Sequence, residues 1–206
     1  MSGKTVRIAN ALVRSEALKF GSFKLKSGVM SPYYIDLTWL LSSPKDFMCI
    51  VDAVVDEIRE VLSSRRVDKL ASIELKGALL LPSIANKLGL PCLVARKMEK
   101  GYGVAGRIAG GQVKEGEHIL FFDDVVSSGG SKIEGIKPLE GGGAKVEVVL
   151  VVVDREQGGK ENLAKEGYEL RTVTTISKLA NALFESHEIS REEATKILEY
   201  SRKTTG

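Results

Sequence analysis

The chain has 206 residues, 43% of them hydrophobic, with 30 Lys and Arg against 27 Asp and Glu and a formal net charge of +3. That length and apolar content suffice for one substantial core, and the small, dispersed charge argues against nucleic acid, which asks for a concentrated basic face. No apolar run approaches the roughly 20 residues of a membrane span and the first residues lack a signal-peptide core, so a cytoplasmic protein without a membrane partner is expected.

Along the chain, the first clear element begins at Ser43 and Pro44, a helix start signal. Beyond it Phe47, Ile50, Val51, Val54, Ile58, Val61 and Leu62 recur at helical spacing. Leu70 to Ile73 predicts a buried strand, Leu79 to Leu88 has a helical pattern, and Pro91 to Ala95 predicts a second strand. Ile119 to Phe122 and Val146 to Val153 read as two more strands. Between them Ser127 to Ser131 turns into a helix, and Gly141 to Gly143 marks the turn back. These last glycines are not a P-loop, because Lys145 is followed by Val146 rather than Ser or Thr. From about Ser190 the chain reads as a charged surface helix without nameable chemistry.

Strands alternating with helices imply an α/β fold, a parallel sheet with helices on both faces. Ligands then gather at the C-terminal strand ends, where Glu74 to Gly77, Arg96 to Lys100, the loop to Ser131 and Asp154 to Arg155 all fall. Cys49 and Cys92 lack metal-ligand spacing. With only His118 and His187 beside them, neither a zinc site nor a Ser/His triad is plausible.

Phe121 to Ser131 carries the most chemical information. An apolar strand ends in Asp123 and Asp124, passes Val125 and Val126, and enters the loop Ser127-Ser128-Gly129-Gly130-Ser131. Unpaired N–H groups where such a loop opens a helix hold a phosphate, and the adjacent carboxylates accept hydrogen bonds from sugar hydroxyls. A phosphate a few bonds from a cis-diol describes a ribose 5-phosphate. The bland alternative is an acidic strand end followed by ordinary turn residues.

Arg96, Lys97 and Lys100 lead into five glycines between Gly101 and Gly111, which predicts a mobile cationic lid; the bland alternative is a solvated hairpin. Gly101, Gly103 and Gly106 fit G-x-G-x-x-G. They follow charged residues and precede no apolar helix, so dinucleotide binding is set aside.

The stretch from Phe121 to Ser131 resembles the phosphoribosyl-diphosphate (PRPP) motif of type I phosphoribosyltransferases. Phe20 to Asp36, which includes Lys26, Tyr33, Tyr34 and Ile35, is similar to the signature of the orotate phosphoribosyltransferases within them, and the resemblance runs from about Ala11 to Leu179. It implies the type I phosphoribosyltransferase fold in a single domain over residues 1–206, with a small N-terminal hood formed mainly by about residues 1–40. A PRPP site is implied on Lys26, Leu75, Lys76, Arg96, Lys97, Lys100, Tyr102 and Asp123 through Ser131. In that site Lys76 supplies a point charge and Gly77 lets backbone approach the ligand. Tyr102 stands where many relatives carry histidine, and its hydroxyl can still hydrogen-bond a phosphate oxygen.

An orotate site is implied on Lys26, Tyr34, Ile35, Ser127 and Arg155, the arginine because its planar fork meets a carboxylate with two hydrogen bonds. Tyr33 and Tyr34 read equally as pocket or core. The resemblance implies Mg²⁺ as cofactor, bound mainly through PRPP oxygens with Asp123 and Asp124 reached through water, and a homodimer whose lid acts on the partner subunit's site. The catalytic residues so implied are Lys100, Asp123 and Asp124.

The reaction expected is orotate plus PRPP giving orotidine 5′-monophosphate (OMP) and pyrophosphate, in pyrimidine (UMP) biosynthesis and without a fused decarboxylase. Displacing pyrophosphate passes through an oxocarbenium-like centre, so the work is alignment and charge neutralisation, with no covalent nucleophile. Two alternatives stay open. A phosphoribosyltransferase for another base would need neither Arg155 nor the Lys26 signature. A non-catalytic PRPP-binding regulator would carry a DNA-binding segment and an eroded lid.

Overall fold

A computed structural model describes residues 3–24, 28–100 and 106–203, without the side chains of residues 99, 100 and 203. The chain opens with α1 (Gly3–Arg14), an antiparallel pair β1 (Leu18–Lys24) and β2 (Met30–Ile35), and a short 3-10 helix (Leu37–Ser42). Then follow α2 (Pro44–Leu62), β3 (Lys69–Ile73), α3 (Lys76–Leu88), β4 (Cys92–Lys100), β5 (Gly106–Ala109), β6 (His118–Val126) and α4 (Gly130–Glu140). The chain continues through β7 (Lys145–Asp154), α5 (Gly159–Lys165), β8 (Glu169–Thr175), α6 (Ile176–Glu185) and α7 (Arg191–Lys203).

Six strands form the central sheet in the order β5-β4-β3-β6-β7-β8, and every pair is parallel except β4 with β5. Successive side chains of β6 divide between two cores because strand side chains alternate faces. Leu120 and Phe122 join α1, α2, α3, α6 and α7 on one side, whereas Ile119 and Phe121 join α4 and α5 on the other. Contact on the second side is close. A Cβ at Gly135 of α4 would lie 2.8 Å from the Phe121 ring and 2.9 Å from Ile73, so only glycine lets α4 settle there.

The start of α2 follows its sequence signal, with Pro44 in the first turn. Ser43, however, donates to Oδ2 of Asp46 at 2.7 Å instead of capping backbone, and Arg14 of α1 also grips that buried carboxylate. This pins α1 against α2.

Four expectations change. First, β6 runs through both acids to Val126, because β7 pairs with it as far as Val126 opposite Asp154; Asp123 and Asp124 therefore belong to the strand. Second, β4 extends to Lys100 because β5 pairs back along it, with Lys100 opposite Gly106, so the cationic segment starts on a strand that forms an antiparallel edge. Third, α3 begins at Lys76, directly after the β3 loop. Fourth, α7 is not merely a surface helix, since its Ala194, Ile197 and Ser201 are buried. Among the described residues, no helix is long and apolar enough to cross a membrane.

Candidate active site

The C-terminal ends of β3, β4, β6 and β7 meet in one region, as the parallel order requires. Asp123 and Asp124 lie there, only 4% and 7% exposed. Both oxygens of Asp123 are engaged: Oδ2 lies 2.7 Å from Nζ of Lys132, and Oδ1 accepts from the N–H of Asp124 at 2.9 Å. Lys132 also donates to the Val125 carbonyl and to Oγ of Ser131.

Burial first, and then the neighbouring Asp123 charge, push the Asp124 carboxyl up to about 7, against the pull of Lys132. The two acids thus differ. One is locked in an ion pair with Lys132, and the other, which accepts from the Val125 N–H and shares a hydrogen bond with Asp123, holds a proton near neutrality.

Sequence reasoning missed Lys132. A signal was present: a cation in the first turn of a helix opposes the helix dipole, so it calls for an anionic partner nearby.

Leu75, Lys76, Lys97, Asp123, Asp124 and Ser131 line one cleft of about 300 Å³, together with Thr38, Ile73, Glu74 and Lys132. Leu75 is 63% exposed, and the Glu74–Leu75 peptide is cis. Glu74 Oε1 accepts from the Lys97 N–H at 2.8 Å, tying the loop after β3 to β4. Lys76 faces Asp36, the residue after β2, at 3.1 Å. Burial would raise the Asp36 carboxyl, but hydrogen bonds from Thr38 and Lys76 outweigh it and hold it below the ordinary range.

Gly77 has a packing reason to be glycine that the sequence did not show. A Cβ there would stand 2.4 Å from Oδ1 and 2.8 Å from Cα of Asp123 and 2.5 Å from Oγ of Ser72. Its missing side chain therefore makes room for Asp123 of β6 and Ser72 of β3.

Gly129, at φ 89°, turns the loop into α4, whose first N–H groups have no partner within the helix. The loop is supported by α5: Asn162 donates to the Ser128 carbonyl at 3.0 Å, and a Cβ on Gly159 would lie 2.5 Å from the Ser127 carbonyl oxygen. Ser128, Gly130 and Ser131 are exposed.

Beside this loop, the Arg155 N–H donates to the Val126 carbonyl at 2.9 Å. Its Nε donates to the Tyr33 hydroxyl at 3.1 Å, while Nη2 is buried without a hydrogen-bond partner among the described residues. Tyr33 is fully buried, and burial raises its phenol against the pull of Arg155, so the hydroxyl stays neutral. Tyr34 is the exposed member of the pair, its ring centroid 5.8 Å from that of Phe23, and Ile35 packs partly against the core.

Arg96 does not line the cleft of the two acids. Its Nη1 donates to the Gly106 carbonyl at 3.2 Å, across the β4–β5 pair. Lys26, the side chain of Lys100 and Tyr102 lie outside the described residues.

No family model matches the chain. Orotate phosphoribosyltransferase of Pyrococcus furiosus is 36% identical over 181 residues, which are 88% of this chain and 96% of the relative. Among solved structures, the UMP synthase of Leishmania donovani superposes with a TM-score of 0.85 at 30% identity over 98% of this chain. The chain spans only 43% of that protein. Orotate phosphoribosyltransferase from Aeropyrum pernix gives a TM-score of 0.74 at 26% identity, covering 89% of this chain and 99% of that one.

Proposed function

The chain belongs to the orotate phosphoribosyltransferases, and from that membership we propose which of its residues carry the transfer of ribose 5-phosphate from PRPP to orotate. The activity is that of a transferase making OMP and pyrophosphate, a step of pyrimidine (UMP) biosynthesis. The observation that carries the assignment of the base site is the buried Nη2 of Arg155, which has no hydrogen-bond partner among the described residues and stands one strand away from the PRPP loop. A buried donor without a partner is rare and calls for a ligand acceptor, which the orotate carboxylate supplies.

In this reading the open amides from Ser127 to Ser131 hold the 5-phosphate, and Asp124 accepts from the ribose hydroxyls. Asp123, locked by Lys132, fixes the strand end and so the direction of Asp124. Lys76 and Lys97 face the same cleft and neutralise the departing pyrophosphate, joined by Lys100, Tyr102 and Lys26, and by Arg96 once it leaves the Gly106 carbonyl. Lys26, Tyr34, Ile35 and Ser127 complete the base site around Arg155. Because Lys76 pairs with Asp36 in the structure, PRPP has to draw it away from the hood as it binds.

The donor set fits a Mg²⁺ carried on PRPP oxygens. Among the described residues no group of three or more His, Cys, Asp or Glu forms a cage, and Asp123 already has both oxygens engaged. Asp124 would hold waters of the ion, which when bound would spread the leaving group's charge. We read the chain as one domain with its hood, a homodimer in which the lid reaches the partner subunit's site, working in the cytoplasm.

The test is an assay with PRPP, Mg²⁺ and a panel of bases, following pyrophosphate release. Orotate is expected to drive release far faster than uracil, adenine or hypoxanthine. Equal rates with uracil would remove Arg155 from the role given to it.

A further inference from the structure

Helix α7 holds none of the residues assigned to the transfer, yet it is firmly seated, with Ala194, Ile197 and Ser201 buried. Its Tyr200 stands edge-on to Tyr33, with ring centroids 5.8 Å apart and planes at 86°, a favoured arrangement for two aromatic rings. Tyr33 in turn accepts from Nε of Arg155, and its ring centroid lies 5.0 Å from the guanidinium carbon. A line of contacts therefore runs from the last helix, through the hood, to the arginine at the end of β7.

A guanidinium can meet a carboxylate with two parallel hydrogen bonds along either of two edges: Nε with one Nη, or the two Nη together. Donation of Nε to Tyr33 removes the first edge. The second includes Nη2, the buried donor without a partner among the described residues. Tyr33 thus chooses the edge that Arg155 presents. It also holds a long side chain whose rotamer freedom would otherwise be lost on binding.

Resting on the orotate reading above, we propose that Tyr33 is a positioning residue for Arg155 and that α7, through Tyr200, holds Tyr33 to that work, so that the C-terminal helix sets selectivity for a carboxylate-bearing base.

OMP and UMP differ by that carboxylate alone, so the ratio of their dissociation constants, measured by calorimetry on the full chain, isolates the contribution of Arg155. Tyr33→Phe keeps the ring and removes the acceptor. It is expected to reduce the preference for OMP by on the order of tenfold, while PRPP affinity and melting temperature stay near wild type. Tyr200→Ala is expected to lower the same ratio less.

A general loosening of the fold weakens OMP and UMP alike and leaves their ratio unchanged. That result in Tyr33→Phe overturns the proposal, and in Tyr200→Ala it removes α7 from it. A wild type with no preference for OMP would overturn the orotate reading itself, which keeps the two failures apart.

Discussion

The Lys132 ammonium lies 2.7 Å from Oδ2 of Asp123, and the two side chains are only 6% and 5% exposed. An ion pair this dry is a poor source of net stability, because desolvating both charges costs about as much as their attraction returns. Removing one partner is a different matter.

Lys132→Met leaves Asp123 charged and uncompensated beside Asp124. Unfolding free energy is expected to fall by about 3–5 kcal/mol, read by urea or thermal denaturation. The double variant Lys132→Met with Asp123→Asn recovers most of that loss, since no buried charge is left alone. A loss below about 1 kcal/mol in the single variant would contradict the burial on which this rests.

Asp124→Asn separates stability from function. In the folded protein this carboxyl titrates at about 7, against an ordinary value of 3.8, chiefly through burial. Between those two pH values the unfolded chain has released the proton and the folded chain still holds it, so this group makes the fold progressively less stable as pH rises. The penalty is full above about 7 and absent below about 4. Asp124→Asn is therefore expected to melt above wild type at pH 8, by an amount on the order of a few kcal/mol, and level with it near pH 4. Its use of PRPP falls sharply, because asparagine can never become the carboxylate acceptor that Asp124 offers the ribose hydroxyls once its proton has left. A variant that melts early but turns over normally would make Asp124 a structural strand-end residue.

Arg155→Ala is expected to weaken orotate by about 2–5 kcal/mol while PRPP binding changes little, measured by titration of each substrate. Loss of the side chain also frees the Tyr33 hydroxyl. Equal losses for both substrates would place the arginine outside the base site.

The lid and the dimer are tested together by mixing subunits. Lys100→Ala is expected to slow the chemical step with little effect on orotate binding, because its contact matters most as charge grows on pyrophosphate. Lys100→Ala subunits mixed with Asp124→Asn subunits then regain activity, since one site of the heterodimer keeps both groups. With exchange confirmed by mass, no recovery would mean that the lid serves its own subunit.

Local pattern was enough to reveal much of this protein. The helical period from Phe47 to Leu62 and the apolar run from Val146 to Val153 state their own burial, because each depends only on which faces of a helix or strand are apolar. The loop from Ser127 to Ser131 opening a helix after two acids was legible for the same reason, since strand end, glycine turn and helix start are written in consecutive residues.

What the sequence left open depends on pairing between distant segments. Strand β4 runs through Arg96 and Lys97 because β5 hydrogen-bonds to it, and charged residues hide that extension. That Gly77 has to be glycine so that α3 can press against Asp123 shows only when the two are packed together. Lys132 gave one faint local signal, yet only the fold of α4 onto β6 makes it the partner of Asp123. Tyr33 and Arg155 are 122 residues apart, and no periodicity links them. Local chemistry therefore determined which groups this protein owns, and tertiary packing alone decided which of them are already paired and which still have a donor or acceptor for substrate.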